Sequence, residues 1–434
     1  MTSETRKRNF NMSNNGITEE TTPLVQNDKD GPPCSDQWRR WRLISLSEAL
    51  QVIPPFFLAG MGTLAAGLLL DEVQHWEVFK TISELFVLVP ALLGLKGNLA
   101  MTLASRLSTE THRGIDNHVN VVAGYLALDQ AQALIVGLLA SFIAMITGIA
   151  YGTSVSNMVV LFATGLITAS LVSVVLGGTM CAIVLASAHY QCNPDNISTP
   201  IAASLGDSIT LGILSIVGSL LFHIPDKNTQ IWICSVVIGL LVLVIPPLLI
   251  YSWHNRYARP AVLQGWVPIL LAMFISSGVG IIMSKVAEKY QSVVAFLPII
   301  NGIGGNLAAI QASRLSTSFN IHGRTDFSEY KTSLFLLLLT VPGHAVFLTV
   351  KDIIDPTHIG FPFYTAFFCS AIVQVAILLG MSYVMVMISP YLRNLDPDLY
   401  SIPLLTALGD FLGTAFLSLS VLILDSAGLF NPGN

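Results

Sequence analysis

The stretch PALLGLKGNLAMTLASRLST (90–109) returns 208 residues later as PIINGIGGNLAAIQASRLST (298–317), with twelve of twenty positions identical and no gap. Pro90/Pro298, Gly97/Gly305, Asn98/Asn306 and Arg106/Arg314 fall into register. A second pair follows. NPDNISTPIAASLGD (193–207) matches DPDLYSIPLLTALGD (396–410), which aligns Asp195 with Asp398 and Asp207 with Asp410. These segments are embedded in apolar sequence. A duplicated unit with helix breakers, an amide and a carboxylate at membrane depth is what a two-fold pathway for a cation requires.

The rest of the chain agrees. Only 11% of residues are charged and 53% are hydrophobic, and the mean hydropathy of +0.67 lies far above that of soluble proteins. The formal net charge of −5 carries little information, because the charges are confined to a tail and to loops. The five cysteines show no CxxC pairing or metal-ligand spacing and read as structural. Residues 1–40 hold no apolar run and so no cleavable signal peptide, and their Glu4, Glu19, Glu20, Asp28 and Asp30 argue against a transit peptide. They read as a disordered tail. Within it, Glu20 to Val25 weakly resembles an acidic dileucine sorting signal. Nothing suggests nucleic-acid binding or a cofactor.

A span needs about 20 mostly apolar residues. Such runs fall near 43–69, 81–105, 119–150, 156–188, 199–223, 229–252, 261–284, 292–314, 330–350, 360–390 and 400–424. The fold expected is therefore an all-α polytopic membrane protein of about eleven transmembrane helices. The tail (1–40) precedes a first repeat (41–225), a connector helix (226–258) and a second repeat (259–434). Five spans plus one connector return the chain to its starting side, so the repeats are expected to be parallel. With the N-terminus inside, the inner loops and tail hold most of the arginines, Arg106, Arg113, Arg256, Arg259, Arg314 and Arg324 among them. The outer loops hold Lys80, Lys227, Lys285, Lys289 and Lys351. That asymmetry predicts a cytoplasmic N-terminus and a C-terminus on the opposite side. The sequon at Asn196 then lies inside and stays unglycosylated.

The motifs have chemistry of their own. Pro90, Gly94, Gly97 and Asn98 weaken a helix within the bilayer, and freed backbone there must line a cavity or touch protein. Asn98 and Asn306 add carbonyl oxygens that a hard cation or its water shell can use. The competing reading is that the glycines allow close helix packing and each Asn bonds to a neighbouring helix. Asp207 and Asp410 are sharper. Helices starting near Thr199 and Ser401 place them about 12 Å deep at ~1.5 Å per residue, where an ionised Asp costs at least about 2.5–3.5 kcal/mol. Two such carboxylates ~8 Å apart repel by about 2 kcal/mol at an effective dielectric of ~20, and so favour a bound cation. Asp195 and Asp398 read as an entry ring or as helix N-terminal carboxylates. Arg106 and Arg314 read as headgroup anchors or helix C-caps.

Outside the motifs, Asp129 reads as a coupling-ion site or as a carboxylate bonded to a neighbouring helix. Glu48 and Glu84 lie near span ends, within snorkelling reach of water, and His344 reads as a packing histidine. Lys96 stands where the second copy has Gly304, beside the proposed path. Its two readings are a partner for Asp207 or Asp410 displaced by the cation, and an anchor that snorkels away.

At these motifs the chain resembles the animal solute-carrier relatives of the bacterial MgtE magnesium channels, over residues 40–425. Pro-x5-Gly/Lys-Gly-Asn with the Ala-Ser-Arg-Leu-Ser-Thr tail, and Pro-Asp-x-x-Ser-x-Pro before Leu-Gly-Asp, carry the resemblance in both halves. It implies that each half is one five-helix MgtE-type domain and that one chain reproduces the MgtE dimer around a single pore, as a monomeric pseudo-dimer. It also implies that Asp207 and Asp410 match the acidic pore residue, and that the flux is of Mg2+, in some members exchanged against Na+. Two features depart from the pattern. The tail is too short for the soluble and CBS domains that gate MgtE, and Ala100 stands where the animal relatives commonly have an acidic residue.

Mg2+ sheds water reluctantly and is rarely caged by protein alone. A path for it suits the sparse set Asp207, Asp410, Asn98, Asn306, Gly97, Gly305, Asp195 and Asp398, a set that also admits Mn2+ or Co2+. The host membrane expected is the plasma membrane. Two other classes compete: an intramembrane aspartyl-type enzyme using Asp207 and Asp410, and a non-transporting cation sensor or scaffold.

Overall fold

Lipid offers no hydrogen bonds, so each crossing segment must satisfy its own backbone, and a helix does this locally. The computed structural model describes residues 46–112, 118–189, 194–263, 266–322, 328–356, 359–388 and 397–430. Every regular element among them is helical. Eleven helices are long and apolar enough to cross a membrane. They are α1 (Leu46–Val73), α2 (Leu85–His112), α3 (His118–Tyr151), α4 (Val155–His189), α5 (Pro194–Phe222) and α6 (Lys227–His254). Then come α7 (Trp266–Lys289), α8 (Phe296–His322), α9 (Ser328–Ile354), α10 (Phe361–Ile388) and α11 (Pro397–Ser426). Short helices, Glu77–Thr81 and Gln291–Val294, lead into α2 and α8, the two helices that carry the repeated motif.

The motif helices α2 and α8 are the most enclosed of the set. The span Gln291–Ser316 is 78% covered by protein and Leu85–Ala104 is 71% covered, against 6% for α6. The connector therefore lies on the periphery, packed mainly on α3 and α4. Its start is capped by Asp226, which accepts hydrogen bonds from Thr229 N and Oγ1 at 2.8 and 2.6 Å. Those two bonds hold the Asp226 carboxyl below its ordinary range.

Within each half the motif helix packs on the helix that carries the aspartate, α2 on α5 and α8 on α11. Between halves, α1 packs on α8 and α7 on α2. Glycines set how close they come. A Cβ at Gly67 would lie 2.4 Å from Ala295 O, and one at Gly280 would lie 2.4 Å from Val87 O. Val87 and Ala295 are 208 residues apart, the spacing of the motif copies. Likewise Gly302 faces the Thr63 side chain, and Gly94, 208 residues earlier, faces Ser276 Oγ.

Three sequence expectations need correction. Helices α5 and α11 begin at Pro194 and Pro397, not near Thr199 and Ser401. Proline suits a first helical turn, where its missing N–H is no loss, and Pro403 is carried inside α11. Glu84 does not snorkel; it is buried and accepts a hydrogen bond from Thr153 Oγ1. Lys351, read as an outer-loop cation, is fully buried. Its Nζ donates to Asp355 Oδ2 at 2.8 Å and Asp355 O at 3.1 Å, and stands 5.0 Å from the centre of the Phe296 ring. His344 is buried as expected, its Nδ1 2.7 Å from Thr340 O. The tail, its sorting-like segment and Cys34 and Cys192 lie outside the described residues.

Candidate functional site

Between α2 and α8 lies a cavity of about 90 Å³. At roughly 10–15 Å³ of such room per water, it has space for several waters. From the first half it is lined by Thr63 on α1, Pro90, Gly94, Gly97 and Asn98 on α2, and Asp207 on α5. From the second half come Pro298, Asn301, Gly302, Gly305 and Asn306 on α8, with Thr406 and Asp410 on α11. Proline and glycine keep the walls free of bulk, and the two aspartates approach from opposite halves.

Neither Asp207 nor Asp410 has a hydrogen-bond or ion-pair partner among the described residues, and each is partly shielded. Gly94 makes room for the second: a Cβ there would stand 3.7 Å from Asp410 Oδ2 and 3.0 Å from Ser276 Oγ. Two uncompensated carboxylates at membrane depth attract positive charge. The amides differ. Asn98 is buried and its Oδ1 accepts from Thr406 Oγ1 at 3.1 Å, a bond across the two halves. Asn306 has no hydrogen-bond partner among the described residues.

Six of the residues singled out in the sequence thus meet at one cavity: Asn98, Asn306, Gly97, Gly305, Asp207 and Asp410. Asp195 and Asp398 stand in the first turns of α5 and α11, but their side chains, like that of Lys96, lie outside the described residues. Asp129 is placed elsewhere, in a small space with Arg106, Tyr125 and Gln132, and it accepts a hydrogen bond from Ser173 Oγ. Burial holds the Arg106 guanidinium below its ordinary value, while Tyr125 and Asp129 oppose that shift. Arg314 Nη1 donates to Thr332 Oγ1 at 3.3 Å.

Sequence reasoning missed Thr63, Asn301 and Thr406 as lining residues. Asn301 is buried; its Nδ2 donates to Thr414 Oγ1 at 2.8 Å and its Oδ1 has no partner. The signal was available in the register: Asn301 aligns with Leu93 and Thr406 with Ala203, polar residues present in one copy only.

A bundle of eleven spans with two aspartates, unpartnered among the described residues, facing one cavity between the halves defines a class, the polytopic cation transporters. The sequence profile of the MgtE family, described as divalent cation transporter, matches twice, at residues 89–217 and 297–420. Human solute carrier family 41 member 2 is 40% identical over 95% of this chain and 78% of its own length. Mouse solute carrier family 41 member 2 is 41% identical over 86% of this chain and 70% of its own, and rat solute carrier family 41 member 3 is 38% identical over 87% of each. No solved structure matches the chain significantly. The chain belongs to the MgtE family of divalent cation transporters, among its animal solute-carrier relatives. It is an integral membrane transporter of divalent cations and not an enzyme, which sets the aspartyl-enzyme reading aside.

Proposed function

We propose that the transported ion is Mg2+ and that it passes through the cavity between α2 and α8, with Asp207 and Asp410 as its charged contacts. The observation that carries this reading is the pair of carboxylates, one from each half, lining a single cavity with no hydrogen-bond or ion-pair partner among the described residues. Hard, reluctantly dehydrated Mg2+ suits a sparse site of carboxylates, amides and water. Asn98, Asn306 and the backbone beside Gly97 and Gly305 act on the ion's water shell, and Asp195 and Asp398 gather cations at the entrance. The two halves are parallel repeats around a pseudo-two-fold axis, so one chain is a complete transport unit. The reciprocal contacts of Gly67 with Ala295 and Gly280 with Val87 support that arrangement. The Lys/Arg asymmetry supports a cytoplasmic N-terminus and a C-terminus outside, in the plasma membrane.

Exchange against Na+ is the coupling proposed. The test is Mg2+ flux in proteoliposomes of the purified protein, with Na+ gradient and membrane potential varied independently. Flux that follows the Na+ gradient supports exchange; flux that follows potential alone leaves Mg2+ conduction and removes the coupling. Mg2+ binding without flux under any gradient would assign a sensor or scaffold instead.

A further inference from the structure

The two asparagines of the repeated motif have identical neighbours in sequence and unlike partners in space. Thr406 lies on α11 one turn before Asp410, lines the cavity, and points its hydroxyl at Asn98 Oδ1. The repeat register puts Ala203 at the same place before Asp207. Alanine has no hydroxyl, so nothing at that position can do for Asn306 what Thr406 does for Asn98. Asn98 is 4% exposed and bonded; Asn306 lines the same cavity with no partner among the described residues.

A hydroxyl carries a single proton to donate. Thr406 Oγ1 has three acceptors in reach: Asn98 Oδ1 at 3.1 Å, and Ile402 O and Pro403 O of its own helix, each at 3.0 Å. Turning that proton onto its own backbone would release the Asn98 oxygen, and turning it back would withdraw the oxygen again. An amide oxygen already accepting a bond is a poorer host for a cation or its water.

We infer that Thr406 is a positioning residue that makes the two amides of the pathway unequal, holding the Asn98 oxygen in the protein and leaving the Asn306 oxygen to the cation. This rests on the pathway proposed above. The cation therefore meets its amide contact on the second half, at Asn306 of α8, in the cavity that Asp410 also lines. Thr406 competes with the ion for Asn98, so its hydroxyl weakens cation binding while fixing which side holds the ion.

The experiment is a set of variants read by two measurements: the Mg2+ concentration for half-maximal flux in proteoliposomes, and the Mg2+ concentration for half-maximal thermal stabilisation in detergent. In the wild type, Asn306→Ala raises both by about tenfold and Asn98→Ala by about threefold or less, one hydrogen bond's worth apart. Thr406→Val keeps volume, removes the hydroxyl and lowers both concentrations about three- to tenfold. In that background the two asparagine variants become equal, and Thr406→Ser restores the wild-type inequality. Ala203→Thr with Thr406→Val transfers the hydroxyl to the other half, so Asn98→Ala becomes the more damaging change. Equal effects of the two asparagine variants in the wild type, or an inequality that Thr406→Val leaves untouched, overturn the inference while the pathway stands. If neither asparagine variant moves either measurement, the pathway itself is wrong. The single variants Thr406→Val and Thr406→Ser decide the case even if the double variant does not fold.

Discussion

Gly305 and Gly97 occupy the same place in the two motif copies and do different work. Around Gly305 the second half is closed: a Cβ there would stand 3.6 Å from Thr406 Cα, and one at Gly409 would stand 3.1 Å from Gly305 Cα and 3.2 Å from its N. Among the described residues a Cβ at Gly97 would meet nothing within 4 Å, and one at Gly206, the partner of Gly409 in the register, would meet Leu176 at 3.8 Å. The glycines of the second half bring α8 and α11 backbone to backbone, while those of the first half leave space at the cavity. Identical motifs therefore do not imply identical roles, and the space around each copy has to be read before a function is assigned to either.

The largest expected effect tests whether the halves still share the ion. Asp207→Asn and Asp410→Asn should each lower Mg2+ flux at least tenfold while the fold survives. Neutralising a partly shielded charge at membrane depth relieves a cost of up to about 2.5–3.5 kcal/mol, so thermal stability without Mg2+ should hold or rise. Normal flux in either variant at normal yield would show that one half alone carries the ion.

Next comes the closed and open packing itself. Gly409→Ala pushes a methyl to 3.1 Å from the Gly305 backbone, and should destabilise by roughly 1–3 kcal/mol. Gly206→Ala has room, and should be neutral or stabilising by up to ~1 kcal/mol, since alanine is the better helix former. Melting temperatures in detergent that move together for the two variants would erase the distinction.

A smaller effect concerns the cation beside the first motif. A Cβ at Gly304 would lie 2.3 Å from Gln374 Nε2, so a side chain there requires Gln374 to move, whereas the first copy has Lys96. Lys96→Gly should shift the Mg2+ concentration for half-maximal flux a few-fold and weaken its dependence on any coupled ion. Wild-type values for both would make Lys96 an anchor only.

The smallest effect is far from the cavity. The hydrogen bond from Lys351 holds the Asp355 carboxyl below its ordinary range. A depressed carboxylate stabilises above its unfolded pKa, and that stability is lost as pH falls through the folded value. Asp355 is partly exposed, so Asp355→Asn should cost under about 1 kcal/mol at neutral pH. The difference from wild type should vanish in acid melts, and a difference that grows on acidification would reverse the assignment.

Much of this molecule was legible because membrane sequence is a quiet background. Eleven apolar runs show the spans, and Pro, Asn and Asp inside them stand out against leucine and valine. What escaped was partnership. Glu84 looked free to reach water, but Thr153, 69 residues away, closes over it. For Asp129 the sequence offered a bond to a neighbouring helix as one of two readings but not the partner, which is Ser173. Thr406 and Asn301 were passed over for a different reason. Searching for residues common to both copies discards those unique to one, and these two line the cavity.

The peripheral helix α6 gives that asymmetry its opportunity. In an assembly of two identical chains, every substitution appears twice, and a threonine placed opposite one asparagine is placed opposite the other as well. A tether that joins two halves in one polypeptide ends that obligation. Here the joined halves hold threonine and alanine, asparagine and leucine, lysine and glycine at matched positions. Covalent linkage thus permits a division of labour that mass action between equals forbids.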